Sequence, residues 1–264
     1  MTRYLRLLGL QLRASALLAA QYRFDFFVDA IISLFWTVTA VVPLFVVYGE
    51  KTRPGIPGWN FGEALVVTAC FILLQGVLDG AINPGLQAVI DHIRKGTLDF
   101  VLLKPADAQF LVSTSRFQLF RVFSLVTSGL VFAVAFDRIG HGPSALGVLT
   151  ALVLFAVATL LLYSLWILII SAAFVVVKVD NLTYLFSSIF DAARWPSSVF
   201  RGAVKVVFTF IIPLAVMTTF PAEALLGRLS ITTLVSSIFG AFLFAAVARA
   251  IWLRSIGRYT SAGG

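Results

Sequence analysis

Long apolar runs separated by short polar or Gly/Pro-rich stretches set the pattern of this chain. Runs at about 26–48, 64–83, 118–136, 145–177, 206–220 and 231–248 approach the ~20 residues that cross a hydrocarbon layer as a helix. They predict an all-α membrane protein of six spans in one domain, 1–264. Pro43 falls inside the first span and Pro213 inside the fifth, which is short and aromatic. The fourth stays uncharged as far as Lys178, long enough to tilt or protrude. The loop GEKTRPGIPGWN (49–60) is a Gly/Pro connection with Trp59 as an interfacial anchor. Residues 179–205 mix apolar positions with Asp180, Asp191, Arg194 and Arg201, which predicts an amphipathic helix broken at Pro196 rather than a span.

The first 24 residues resemble a signal peptide only superficially, because Gln11 and Arg13 interrupt the apolar core such a peptide needs. At 100° per residue, Leu5, Leu8, Leu12 and Ala16 fall on one side and Arg3, Arg6 and Arg13 on the other. That arrangement predicts an uncleaved interfacial helix over 1–24, basic face towards anionic headgroups.

Composition agrees. Hydrophobic residues make up 60% of the 264 and charged residues 12%, against about 45–50% and ~25% in soluble domains. The net charge of +8 need not mean nucleic acid, since its distribution follows the membrane. With six spans, only Lys51, Arg53, Arg138 and Arg228 fall on one side; the other sixteen Lys and Arg, including those of 179–205, fall with the termini. Basic residues collect on the cytoplasmic side, so both termini are predicted cytoplasmic and 49–62, 137–144 and 218–230 outward.

The chemistry of sites is sparse. No G-x-x-x-x-G-K-[ST] phosphate loop, HExxH or Ser/His/Asp set occurs, and Cys70, His92 and His141 are isolated. The predicted span centres lack Asp, Glu, Lys, Arg and His, with Asp25, Asp29 and Asp79 near span ends, which disfavours a proton-driven carrier and leaves a sodium site of carbonyls and hydroxyls open. No catalytic residue, metal or cofactor is expected in this chain.

The informative stretch is QAVIDHIRKGTLDFVLLKP, 87–105. Gly96 should end a helix, Asp99 should open the next and Pro105 should stop it. A mere connection between spans 2 and 3 could be shorter and more polar, so a face that docks into another protein is expected.

Ile93, Gly96, Thr97, Leu98, Asp99, Leu102, Lys104 and Pro105 form a pattern that resembles permeases of type-2 ATP-binding-cassette exporters. The branch in question has chains of about 260 residues with six spans, close to the 264 here. FIIPLAVMTTFPAEALLGR (210–228) is similar too, with Pro213 near the end of span 5 and Pro221, Ala222 and Glu223 in a short outer segment. Ala106-Asp107-Ala108 departs from the pattern, where more apolar residues would be expected.

The resemblance implies a bacterial inner-membrane subunit that works with a second permease, identical or paralogous, above two ATPase subunits that hold ATP and Mg. It implies a coupling segment comprising Ile90, Ile93, Arg94, Lys95, Gly96, Thr97, Leu98, Asp99, Leu102, Lys104 and Pro105. In it Arg94, Lys95 and Asp99 form a polar rim, and Ile93, Leu98 and Leu102 pack against the permease or fill the partner's groove. Residues 1–24 resemble the connecting helix of such exporters, and 218–230 their outer re-entrant elements. Family substrates range over drugs, antibiotics, lipids and polysaccharides. An ATP-independent carrier or facilitator, or a non-transporting anchor subunit, would share the same composition.

Overall fold

The computed structural model describes residues 2–21, 23–49, 55–174 and 179–259. The predicted loop at 50–54 (with Lys51 and Arg53), the end of span 4 at 175–178 and the tail from 260 lie outside the described residues. Among the described residues all regular structure is helical. In chain order the helices are α1 (Thr2–Gln21), α2 (Arg23–Gly49), α3 (Phe61–Val77), α4 (Asn83–Arg94), α5 (Asp99–Leu102) and α6 (Ala108–Ser113). After them come α7 (Val122–Ile139), α8 (Ala145–Ser171), α9 (Val179–Phe190), α10 (Gly202–Val206), α11 (Phe220–Leu225) and α12 (Ile231–Gly257).

Five helical stretches are long and apolar enough to cross a membrane: Phe24–Gly49, Phe61–Arg94, Leu119–Ile139, Ala145–Phe174 and Ile231–Gly257. Four keep close to the predicted runs. The second is longer, because α3 passes through a widened π turn at Leu78–Ile82 straight into α4. Their starts are specified locally. Asn60 and Glu63 form a reciprocal cap on α3, and Ser144 and Ser230 cap α8 and α12 through Gly147 N–H and Thr233 N–H.

Helix α3 is the centre of the bundle and by far its most buried span. It lies against α7 along a seam of small residues. A Cβ built on Gly76 would stand 2.6 Å from Ser124 Cβ, and one on Gly62 would stand 2.9 Å from Ile139 Cγ1. Between them Ser128 Oγ donates to the Ala69 carbonyl oxygen at 2.9 Å. In lipid no hydrophobic force drives helices together, so close backbone approach and such hydrogen bonds supply the attraction. On the other flank α8 packs against α12 and α11, while α2 and α12 turn most of their surface outwards as lipid-facing helices.

The fifth predicted span is bent. Gly202–Ile211 and Ala215–Leu225 are apolar enough to cross together, but the chain bends by 68° between them at Ile212-Pro213. Proline removes the donor there and forces Ile212 out of helical geometry (φ −124°, ψ 84°). Both flanks of the bent pair reach the same end of the bundle. Before it, Ser198 Oγ donates to the Pro57 carbonyl oxygen at 3.4 Å. After it, Arg228 donates to the Gly58 carbonyl oxygen at 3.3 Å and pairs with Glu63. We therefore read the pair as re-entrant at the Gly58 end.

On that reading α9 and the turns that follow it, up to Ser198, take the place of the fifth span. Phe190 stacks on Phe71, and the Arg194 carbonyl oxygen accepts from Thr68 Oγ1 at 3.4 Å. Residues 187–198 thus climb alongside α3, whereas the sequence pattern put 179–205, with Arg194, Arg201 and Lys205, among the residues on the cytoplasmic side. Of these charges Arg194 is mostly covered: with Ser187 and the half-exposed Asp191 it lines a cavity shared with Asp79 and Arg121, while Arg201 and Lys205 stay exposed. Removing three cations from the sixteen leaves the basic excess at the Gly96 end intact.

Helix α1 is present, but its protein-facing side differs from the predicted apolar face. Ser15 is buried and Leu7, Leu8, Gln11 and Ala19 are partly covered, while Leu5, Leu12 and Ala16 remain exposed.

Two measurements check this architecture. In a Cys70→Ser background, an impermeant thiol reagent should reach Ser198→Cys from the same side as Gly142→Cys and from the opposite side to Lys104→Cys. Labelling of positions 198 and 104 from one side would restore 179–205 to the cytoplasmic face. Separately, Gly76→Val should overpack the α3–α7 seam and lower stability in detergent by about 1–3 kcal/mol. Gly129→Ala on α7, where nothing lies within 4 Å, should leave the melting temperature nearly unchanged.

Candidate functional site

The stretch singled out in the sequence forms one compact unit at the far end of the long α3–α4 helix. Helix α4 ends as expected: Lys95 is its last near-helical residue and Gly96 adopts φ +63°. Thr97 N–H then donates to the His92 carbonyl oxygen at 2.9 Å, and Gly96 N–H to that of Ile93 at 3.2 Å. This pair of bonds closes the helix and needs the left-handed residue that glycine supplies without strain. His92 Nδ1 lies 2.8 Å from Thr97 Oγ1, so this histidine fastens the turn. Asp99 opens α5, and Lys104 and Pro105 lie beyond its end, as the pattern predicted.

Burial separates the side chains in a way the pattern did not foresee. Ile90 and Leu98 are buried, with Val101, and Ile93 and Leu102 pack against the same core. The expected apolar contacts of Ile93, Leu98 and Leu102 are thus made within the chain itself. The large apolar groups left outside are Phe100 and Leu103, 69% and 80% exposed, beside exposed Arg94, Lys95, Lys104 and Pro105. Sequence reasoning missed Phe100 and Leu103. The signal was available, since they flank the buried Val101–Leu102 pair in a single turn. Without the packing, however, nothing told which side of so short a helix faced inwards.

The departure at Ala106-Asp107-Ala108 proves to be a brace. Asp107 caps α6 by accepting from Phe110 N–H at 2.9 Å, and its carboxylate pairs with Arg249 of α12. Arg249 also donates to Gln109 Oε1 at 2.7 Å, and Gln109 Nε2 donates to the Tyr163 hydroxyl of α8 at 2.9 Å. From α1, Arg3 Nη2 donates to the Pro105 carbonyl oxygen at 2.5 Å and the Tyr4 ring meets Phe110 edge-on at 4.8 Å. Any displacement of the 96–105 unit therefore pulls on α1, α8 and α12, besides α4 to which it is joined.

The outer segment packs at the opposite end. Pro213 makes the bend, Pro221 and Ala222 are buried and Glu223 is partly covered. Gly227 (φ +70°) ends α11 with the same two-bond closure as Gly96. Gly147 of α8 leaves no room for a Cβ beside the Ala224 carbonyl oxygen, 2.8 Å from where it would stand. This segment plugs the bundle end and is not near the 90–105 unit.

Burial alone would raise the Asp107 carboxyl, but hydrogen bonds from Arg249 and from backbone N–H groups outweigh it and hold it below the ordinary carboxylate value. A depressed folded value adds stability that is complete above the unfolded carboxylate pKa of about 3.9 and lost as pH falls through the folded value. Arg249→Gln should therefore melt lower than wild type near pH 7, and the gap should close as the medium is acidified below that range. A gap independent of pH down to full protonation would show that the ion pair is not its cause.

The family model described as ABC-2 family transporter protein matches residues 34–263, which takes in the later part of the first span, all the others and the whole 90–105 unit. No curated protein and no solved structure matched the chain. A match of that extent, on a helical membrane bundle with the layout found here, places the protein: this chain belongs to the ABC-2 family of transporter membrane proteins.

Proposed function

We propose that this chain is the permease subunit of an ATP-driven exporter. It pairs with a second permease, a copy or a paralogue, and takes its drive from two separate ATPase subunits that hold ATP and Mg. The observation that carries the reading is the pair Phe100 and Leu103, exposed in a basic setting on a turn continuous with the most buried helix of the bundle. A packed apolar anchor with a charged rim is the usual anatomy of a docking element. Its rigid attachment through α4 to α3 lets a push at Phe100 reach the α3–α7 seam. The chain has no phosphate loop of its own, so the energy must arrive through such a contact.

Orientation belongs to the same proposal. The Gly96 end carries Arg94, Lys95, Lys104, Arg116, Arg249 and Arg254, which favours the cytoplasmic side of a bacterial inner membrane. Helix α1, with Leu5, Leu10 and Leu17 exposed and Arg3, Arg6 and Arg13 on its surface, suits the interface at that side. A carrier without an ATPase is disfavoured by the family. The lack of span carboxylates no longer argues against one, because Asp79 and Asp191 share a cavity.

Coexpression with the ATPase subunit that copurifies from native membranes tests the reading. Phe100→Ala with Leu103→Ala should weaken that association tenfold or more and abolish ATP-dependent flux in vesicles, with normal insertion. Gly96→Val, straining a residue at φ +63° by about 1–3 kcal/mol, and Asp99→Lys should uncouple hydrolysis from flux. Wild-type association and flux in all of these variants would make 90–105 a connector and remove the basis for ATP coupling through this chain.

A further inference from the structure

The cavity between α2, α3, α7 and α9 is unlike the rest of the membrane-facing surface. It has a volume of about 300 Å³ and runs beside Phe71–Asp79 of α3, about 15–27 Å along that helix from Phe61 at 1.5 Å per residue. That places it in the inner half of a ~30 Å hydrocarbon layer. Two acids and two cations line it: Asp79, Asp191, Arg121 and Arg194. Ionisable groups at such depth are costly and mark functional sites more often than structural ones.

If these four merely neutralised one another they would close into tight pairs. The chain makes such pairs elsewhere, at Asp107–Arg249 and Glu63–Arg228. Here the one ion pair among the four, Arg194 with Asp191, is loose. The nearest Arg194–Asp191 approach between charged atoms is 3.6 Å, beyond hydrogen-bond reach. Asp79 accepts a hydrogen bond from Gln75 Nε2 at 3.0 Å, while Gln75 Oε1 and Arg121 Nε are buried without a partner. A buried N–H or oxygen left unpaired costs about 1–3 kcal/mol unless something occupies the site. Apolar walls stand beside this polar floor, with Phe71 under the Arg194 guanidinium at 5.7 Å and Trp36 of α2 on the open side. A second cavity of about 790 Å³ adjoins it towards α1 and shares Asp79 and Arg121, so the charges stand at the boundary between the two spaces. Ile32, Ser33, Trp36, Thr37 and Ala40 of α2 line one side of the cavity and Ser187 of α9 another, with Trp36 61% exposed at its edge.

We infer that this cavity binds the headgroup of a zwitterionic amphiphile. Arg121 and Arg194 receive its phosphate or carboxylate, Asp79 and Asp191 face its amine, and its chain leaves past the exposed Trp36. A balanced pair of each sign suits a ligand carrying both charges. A purely anionic headgroup would leave the acids opposed to it, and a purely cationic one the arginines. The inference names the cargo class of the proposed permease and rests on that reading. Its test uses the purified chain alone, so it can fail while ATP coupling stands, and the reverse.

Three amphiphiles with one tail-brominated dodecyl chain serve as probes in neutral maltoside micelles: the phosphocholine, the phosphate and the trimethylammonium. Quenching of tryptophan fluorescence reports binding, and Trp36→Phe should remove most of the quench. Wild type should bind the phosphocholine at least tenfold more tightly than either singly charged probe. Asp79→Asn should erase its advantage over the phosphate, and Arg121→Gln its advantage over the trimethylammonium. These opposite changes in selectivity cannot come from a protein that merely fails to fold. Equal binding of the three probes, a preference for a singly charged one, or quenching that survives Trp36→Phe would each overturn the assignment.

Discussion

The whole bundle depends on how closely α3 can approach α7. In hydrocarbon, two helices gain nothing from burying leucine against each other that lipid tails do not already offer. What remains is contact between backbones, and glycine makes it available. With Gly62 and Gly76 on the seam, α7 settles onto α3 near enough for Ser128 to reach a main-chain carbonyl. Once α7 is seated, α3 is enclosed on most sides. The other elements then arrange themselves on a rigid central rod that continues, through a π turn instead of a break, to the 96–105 unit.

Electrostatics divides the molecule into two kinds of site. At each end a closed ion pair fastens chain segments remote in sequence: Glu63 with Arg228 at one, Asp107 with Arg249 at the other. The first holds the re-entrant α10–α11 unit against the start of α3. The second holds the 96–109 segment against α12 and, through Gln109 and Tyr163, against α8. Between the ends, the charges of the cavity pair only loosely, Arg194 with Asp191 at 3.6 Å. Ends are clamped and the middle is held more loosely.

Much of this was legible in the residues. Apolar runs located five of the crossing helices, because a span must be about 20 apolar residues long whatever its neighbours are. Gly96, Asp99 and Pro105 marked their turn correctly, since a left-handed glycine, a first-turn acid and a terminating proline act locally. The face of α1 and the exposure of Phe100 and Leu103 were not legible. A helix of a single turn has no periodicity to read, and α1 carries leucines on both its lipid-facing and protein-facing sides.

By itself the sequence determined the solvent of this protein, its helices, its basic end and the family pattern of its segment at 93–105. Each follows from composition or from interactions reaching no more than a few residues along the chain. Only the tertiary structure decided that the run at 206–220 bends by 68° at Ile212-Pro213 and that α9 and its following turns lie alongside α3. The physical reason is that a charge forbids burial only when nothing compensates it. Asp191 and Arg194 meet Asp79 and Arg121, about 70 to 115 residues away in the chain, around a cavity that does not exist until α3, α7 and α9 have packed.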